Sequence, residues 1–154
     1  MFPFDRLIGA VDQIAAARPQ EAFMAQIGRS TMRPAHMRFE TIMPAAAFGQ
    51  TIDEARLVVA HAGMGTIITA LQAGKPIVVL PRRAELGEVT TNHQLATAKW
   101  LRDKRGVFVA EAEADLAETI DRALSQGADV DSVGSSAPPE FIAKIRGFIL
   151  GASA

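Results

Sequence analysis

The chemistry most readily identified in this chain lies in residues 61–66, which read His-Ala-Gly-Met-Gly-Thr. An apolar run precedes this segment and a helix-like stretch follows, so the pattern predicts a strand that enters a glycine-rich turn and opens a helix. Such a turn presents backbone N–H groups and a positive helix dipole to an anion, and glycine lets a phosphate approach closely. Thr66 is expected to cap the helix or to donate to a phosphate oxygen. A tight turn without a ligand is the alternative.

A second polar loop, residues 81–94, follows the apolar segment Pro-Ile-Val-Val-Leu-Pro. Arg82 and Arg83 at its start either offset the charge of a diphosphate or form a solvated surface pair. At its end, His93 and Gln94 are expected to open a helix from which their side chains reach the hydroxyls of a polar ligand. The loop is therefore a candidate binding segment.

Hydrophobic periodicity predicts an alternation of helices and strands that must position both segments. The predicted helices cover residues 4–17, 45–55, 66–73, 92–103 and 114–125, and the predicted strands cover residues 21–28, 37–42, 56–60, 76–81 and 106–110. Asn92 is predicted to be a helix N-cap, and Gly74 with Pro76 to end a helix. The alternation favours an α/β fold with a parallel sheet and helices on both faces. Ligands bind such a sheet at the carboxyl ends of its strands, where both polar segments fall.

Composition narrows the classes of function. The net charge of −1, from 16 basic and 17 acidic residues, gives no electrostatic reason to expect nucleic-acid binding. The lack of cysteine excludes disulfides, thiolate metal sites and a cysteine nucleophile. The three histidines lack the spacing of a metal site. The sequence shows neither a membrane-spanning apolar run nor a signal peptide, so a cytoplasmic protein is expected.

The chain is expected to divide into an α/β domain over residues 1–126, a linker over 127–139 and an amphipathic helix over 140–154. The linker is small and polar, whereas the last segment carries an apolar stripe at helical spacing. This helix is expected either to pack back on the domain or to dock on a partner or a membrane face.

Four motifs in order resemble the C-terminal domain of family 28 glycosyltransferases. They are the glycine turn at 61–66, Leu-Gln-Ala-Gly-Lys-Pro at 71–76, Val-Leu-Pro at 79–81 and Asn-His-Gln at 92–94. The resemblance covers about residues 4–125. It is closest to the small catalytic subunit of two-part UDP-sugar transferases of dolichol-linked oligosaccharide and bacterial exopolysaccharide synthesis. It implies a Rossmann-like fold, the C-terminal half of a GT-B arrangement.

The resemblance also implies a donor site. It places the donor diphosphate on the glycine turn, at His61, Gly63, Gly65 and Thr66. It places the transferred sugar beside His93 and Gln94. Supporting contacts are expected from nearby polar residues, namely Thr69, Arg82, Arg83, Glu88 and Asn92. No metal or other cofactor is implied, because helix dipole and side-chain donors stabilise the departing UDP in this family. The sequence does not fix the catalytic base.

The implied activity is transfer of a sugar from a UDP-sugar to a lipid-linked acceptor in exopolysaccharide synthesis. In the two-subunit relatives the acceptor half is a separate, membrane-bound polypeptide. The resemblance therefore implies a cytoplasmic subunit, peripheral to the inner membrane through its partner and inactive alone. The alternative is a nucleotide-sugar-binding or regulatory subunit without chemistry of its own.

Two departures from the family pattern bear on these expectations. The family usually has a glutamate that contacts the ribose at the position of Thr69, so the ribose contact and the identity of the nucleotide stay open. Relatives also have a strand and a Gly-Thr turn immediately before the Pro-Phe-Asp segment that stands at residues 3–5. The sheet is thus expected to lack its first, central strand, unless the start is misplaced or another segment or chain fills the slot.

A gap at the centre of a sheet leaves ladder groups unpaired. We therefore expect the chain with this sequence to be unstable or to aggregate, and an added upstream strand to rescue it. Thermal denaturation of both forms tests this. A cooperative unfolding transition at ordinary temperature for the 154-residue chain would contradict it.

Overall fold

The computed structural model describes residues 2–127, which form five helices and five strands. The helices are α1 (Asp5–Ala17), α2 (Ala45–Glu54), α3 (Met64–Gln72), α4 (His93–Leu101) and α5 (Leu116–Gln126). The strands are β1 (Met24–Gln26), β2 (Arg38–Glu40), β3 (Val58–His61), β4 (Ile77–Leu80) and β5 (Val107–Val109). Short 3₁₀ turns at Ala84–Leu86 and Glu113–Asp115 were not predicted. The predicted C-terminal helix and nearly all of the predicted linker lie outside the described residues.

Strands β3, β4 and β5 form a parallel sheet with β4 in the middle. All four side chains of β4 are fully buried, and they alternate between two cores. One core packs α3 and α4 against the sheet, through residues such as Ile67 and Leu101. The other packs α1 and α5 against the opposite face, through residues such as Leu7 and Ile120. The predicted parallel sheet with helices on both faces is therefore confirmed.

Strands β1 and β2 form a separate parallel pair. Helix α1 joins the two sheets. Its residue Val11 packs against the core under α1 and α5 and also against a third hydrophobic cluster, which covers the pair of β1 and β2. This third cluster includes Ile8 of α1 and Ile27, which directly follows β1. The described strands thus form two separate sheets, one of β1 and β2 and one of β3, β4 and β5. The strand predicted to be buried at residues 56–60 instead lies at the edge of the sheet that residues 2–127 form, and β3 is largely half-buried.

The sequence predicted the C-terminal end of α3 correctly but not its N-terminal end. The helix begins at Met64 with Gly63 as its N-cap residue, so the expectation that Thr66 caps it is wrong. Its C-terminal end is confirmed at Gly74, which has a φ of +67°. The N–H of Gly74 donates to Leu71 O at 3.0 Å and that of Lys75 to Ala70 O at 2.9 Å. These two bonds satisfy the last carbonyls of the helix in a Schellman motif.

The edge position of β3 predicts an alternating pattern of amide hydrogen exchange. The N–H of Val58 donates to Pro76 O at 3.0 Å, so the parallel ladder directs Val58 and Ala60 toward β4, and Val59 and His61 away from it. We expect the amides of Val58 and Ala60 to exchange roughly tenfold or more slowly than those of Val59 and His61. Exchange measured by NMR tests this. Equal protection of all four amides would show that another strand covers this edge.

Candidate functional site

The two polar segments singled out from the sequence lie side by side in the structure. Strands β3 and β4 are parallel neighbours, and His61 at the end of β3 is in register with Leu80 at the end of β4. The turn into α3 and the loop into α4 therefore leave the same edge of the sheet at adjacent points. This juxtaposition, predicted from the alternation of elements, is confirmed.

The turn after β3 exposes hydrogen-bond donors at the start of α3. Within the described residues, the N–H groups of Met64, Gly65 and Thr66 have no acceptor, and no side chain caps the helix. The first helical bond is from Ile67 N to Gly63 O, at 3.3 Å. Three donors and the positive end of the helix dipole thus meet at one point. The arrangement can bind an anionic group.

The two glycines of this turn have different surroundings. A Cβ at Gly63 would lie 2.3 Å from Nε2 of His61, because the imidazole folds over the backbone there. A Cβ at Gly65 would meet nothing within 4 Å. The contact with His61 therefore explains why position 63 is a glycine. Gly65 is exposed, and the described structure contains no neighbour that requires a glycine at this position.

His61 lies half-buried at the mouth of the turn. Burial lowers the pKa of its imidazole, and the positive charge of Arg82 lowers it further. The imidazole is therefore neutral at pH 7. In that form it has one N–H donor and one acceptor nitrogen.

Thr69 is oriented toward its own helix. Its hydroxyl donates to Gly65 O at 2.9 Å, one turn back along α3. In this rotamer the hydroxyl proton is committed to the backbone. A donor contact to a ribose would require the side chain to rotate.

Arg82 is neither a surface residue nor directed into solvent, and the surface-pair alternative is wrong for it. The side chain is 8% exposed, and Nη1 donates to the carbonyls of Phe2, Pro3 and Glu88 at 2.9, 3.0 and 2.8 Å. Its guanidinium also lies 4.6 Å from the centre of the Phe4 ring. These contacts tie the start of the loop to the segment before α1.

Arg83 is half-buried and also contacts the protein. Its Nη2 donates to Glu111 O at 2.9 Å. Its Nε is buried without a hydrogen-bond partner in the described part of the chain. Because a buried unpaired donor is costly, this N–H is a group that a water or a ligand oxygen can satisfy.

Glu88 is buried in an ion pair that the sequence analysis missed. Arg6 of α1 donates to it from Nε at 2.8 Å and from Nη2 at 2.9 Å. Burial raises the pKa of Glu88, but the hydrogen bonds from Arg6 and from the backbone of Arg83, with the charges of Arg6 and Arg82, outweigh it, and the net pKa is lowered. The two residues are 82 positions apart, so no local pattern could have paired them.

The start of α4 is built differently from the prediction. Asn92 is in the N-cap position, but its side chain makes no capping bond to α4. Its Oδ1 instead accepts from Ala84 N at 2.8 Å and so caps the 3₁₀ turn within the loop. His93 is exposed, with Nδ1 2.7 Å from the Thr91 hydroxyl. Gln94 is buried, and its Oε1 accepts from Arg82 N at 3.1 Å.

In residues 2–127, no group of three or more histidine, aspartate or glutamate side chains is placed to hold a metal ion. The helices of this part of the chain are all too short or too polar to cross a membrane.

Comparison with known proteins identifies the family to which this fold belongs. The family model of the glycosyltransferase family 28 C-terminal domain matches residues 3–142. The chain belongs to this family.

Among curated proteins the chain is similar to the UDP-N-acetylglucosamine transferase subunit ALG13 of two mammals. It is 29% identical to the protein of Mus musculus and 30% identical to that of Homo sapiens, over 115 residues in each case. These alignments cover 68% of this chain and 10% of each relative. The chain therefore spans about a tenth of the length of these relatives.

Two solved glycosyltransferase structures share the fold. The glycotransferase of kitacinnamycin matches with a TM-score of 0.59 and 22% identity, over 77% of this chain and 30% of its own. The spinosyn forosaminyltransferase SpnP matches with a TM-score of 0.57 and 18% identity, over 79% of this chain and 30% of its own. The predicted fold class, the Rossmann-like C-terminal half of a GT-B glycosyltransferase, is confirmed.

The environment of His61 predicts an acid-sensitive contribution to stability. The folded state disfavours the protonated ring, whereas the unfolded chain takes up a proton below about pH 6.5. Stability should fall as the pH drops through that value, and less so in His61→Asn. By NMR the ring of His61 should titrate with a midpoint below 6.5. A midpoint above that value would contradict the burial and the charge described here.

Proposed function

We propose that this chain is the donor-binding subunit of a two-part glycosyltransferase. It binds a UDP-sugar and, together with a membrane-bound partner, transfers the sugar to a lipid-linked acceptor in exopolysaccharide synthesis. The observation that carries the proposal is the start of α3, where three backbone donors without partners in the described chain meet beside a neutral histidine. Membership of family 28 gives that anion site its expected ligand, a nucleotide diphosphate.

The diphosphate is held by the backbone of the glycine turn. The N–H groups of Met64, Gly65 and Thr66 point to one anion, and the helix dipole adds roughly half a positive charge. The hydroxyl of Thr66 and the imidazole of His61 add further donors. Gly65 has open space where a Cβ would stand, and this space admits a phosphate oxygen close to the backbone.

The sugar lies on the side of α4. His93 is exposed at the first helical position, and Gln94 follows it. Since Oε1 of Gln94 is occupied by Arg82 N, its amide Nε2, which has no acceptor in the described chain, is the group available to a sugar hydroxyl. As the glycosidic bond to a hexosyl group breaks, the negative charge on the departing UDP is stabilised by the donors of the turn.

The partner supplies the acceptor half and the base that activates the acceptor hydroxyl. The donor subunit alone is therefore inactive, and it is cytoplasmic and held peripherally at the inner membrane through its partner. The name of the ALG13 relatives supports this division, because it describes a transferase subunit.

The second candidate is a nucleotide-sugar-binding or regulatory subunit without transferase chemistry. It is favoured by Thr69, whose hydroxyl donates to Gly65 O instead of being free for a ribose. A reconstituted complex with the membrane partner distinguishes the two. Sugar transfer that falls on His61→Ala supports the enzyme, whereas a complex that binds donor but transfers nothing supports the second candidate.

The two glycines Gly65 and Gly49 provide a matched test of the diphosphate site. Both have free space for a Cβ, and Gly49 lies inside α2. Alanine at either position should keep or raise stability by about 0.5–1 kcal/mol, because it is a better helix former than glycine. Only Gly65→Ala should weaken UDP-sugar binding, by roughly tenfold or more, which is about 1.4 kcal/mol. Calorimetric titration with UDP-N-acetylglucosamine and UDP-glucose measures it.

Two results would overturn the proposed site. One is a Gly65→Ala variant that binds the donor as tightly as the unaltered chain. The other is an unaltered, folded chain that binds neither UDP nor a UDP-sugar at millimolar concentration.

A further inference from the structure

A cluster of charged residues ties the loop that carries Gln94 to the first helix. Glu88 accepts three N–H groups: Nε and Nη2 of Arg6 at 2.8 and 2.9 Å, and the backbone N of Arg83 at 3.0 Å. Nη2 of Arg6 also donates to Pro81 O at 2.9 Å. One guanidinium therefore holds both ends of the segment from Pro81 to Glu88.

The contacts continue from this cluster to the start of α4. Nη1 of Arg82 donates to Glu88 O at 2.8 Å, and the backbone N of the same arginine donates to Oε1 of Gln94 at 3.1 Å. Arg82, Glu88 and Gln94 are 8%, 7% and 5% exposed. The connected contacts that lead from Arg6 through Glu88 and Arg82 to Gln94 are thus almost entirely shielded from solvent.

We propose that Glu88 is a positioning residue for the donor site. It binds no ligand itself. Through Arg6 and the main chain of the loop, it fixes the orientation of the Gln94 amide and of the first turn of α4 relative to the glycine turn. The part of this inference that concerns the sugar rests on the proposed function. The part that concerns the loop does not.

A glutamate is required because all of the groups around the carboxylate are donors. The isosteric glutamine replaces one oxygen with an NH₂ group. In one orientation the NH₂ faces Nε of Arg6, and in the other it faces Nη2 of Arg6 and the backbone N of Arg83. Either orientation sets a donor against a donor, so Glu88→Gln must break at least one contact while the volume stays the same.

The backbone of the diphosphate turn makes no hydrogen bond to this cluster within the described residues. It is formed by the ladder of β3 with β4, the bond from Gly63 N to His61 O at 2.7 Å, and the first turn of α3. A change at Glu88 should therefore alter recognition of the sugar more than recognition of the nucleotide. A residue that acts only on global stability would alter both alike.

Glu113 provides the matched control. It also pairs with Arg6, through Nη1 at 3.0 Å, but it lies in the 3₁₀ turn that precedes α5, and its side chain is 49% exposed. Glu113→Gln removes a negative charge beside the same guanidinium, and Glu113 accepts no hydrogen bond from the loop in the described part of the chain. Arg6→Lys is a second test variant, because lysine keeps the charge but cannot form the two-nitrogen contact with Glu88.

Two measurements on the full chain test the proposal. Hydrogen exchange follows the backbone amides of Arg82 and Arg83, which donate to Gln94 and Glu88. We expect their exchange to accelerate roughly tenfold in Glu88→Gln and to stay unchanged in Glu113→Gln. Calorimetric titration compares UDP with UDP-N-acetylglucosamine and UDP-glucose. We expect Glu88→Gln to weaken binding of the UDP-sugar recognised by the unaltered chain several-fold while UDP binding stays within twofold.

The outcomes of these measurements distinguish the positioning role of Glu88 from the proposed donor-binding function. Unchanged exchange at Arg82 and Arg83 in both Glu88→Gln and Arg6→Lys overturns the positioning role, as does equal weakening of UDP and UDP-sugar. Acceleration in Arg6→Lys supports the role even where Glu88→Gln fails to fold. If the unaltered chain binds neither UDP nor a UDP-sugar, the proposed function fails, while the exchange measurement still decides whether Glu88 holds the loop.

Discussion

The burial of β4 on both faces is the constraint on which the rest of this structure depends. Its four side chains have no exposed surface, and they alternate between the core under α3 and α4 and the core under α1 and α5. A strand buried in this way must be covered by helices on both sides, and its parallel neighbours must run beside it. Consequently the segments that follow β3 and β4 emerge together at one edge, where the donor site is proposed.

The sequence predicted this architecture well because its main signal is local. The apolar run bounded by Pro76 and Pro81 defines the central strand, and Gly74 defines the end of the helix before it. The juxtaposition of the glycine turn with the loop follows from parallel topology alone. The helical start at Met64 was misplaced by two residues, because Thr66 has the chemistry of a cap whereas Gly63, which occupies that position, has no side chain to reveal it.

The side-chain roles in the loop could not be predicted from the sequence. Arg82 is attractive as a phosphate ligand by residue type, yet its guanidinium is occupied by backbone carbonyls far away in the sequence, at Phe2 and Pro3. Asn92 has the type of an N-cap but supports a 3₁₀ turn that has no strong sequence signal. Arg6 stands beside the apolar stripe of α1 and gives no local indication of its partner. Such contacts depend on tertiary distance, which periodicity does not encode.

The close packing of His61 on Gly63 restricts how this turn can change in evolution. A Cβ at position 63 would lie 2.3 Å from the imidazole, so a larger residue there requires the ring at 61 to turn away or to be replaced by a smaller side chain. Position 65 carries no such dependence on a neighbour. The two positions 61 and 63 should therefore covary among homologues, with glycine kept at 63 wherever a histidine at 61 covers that part of the backbone.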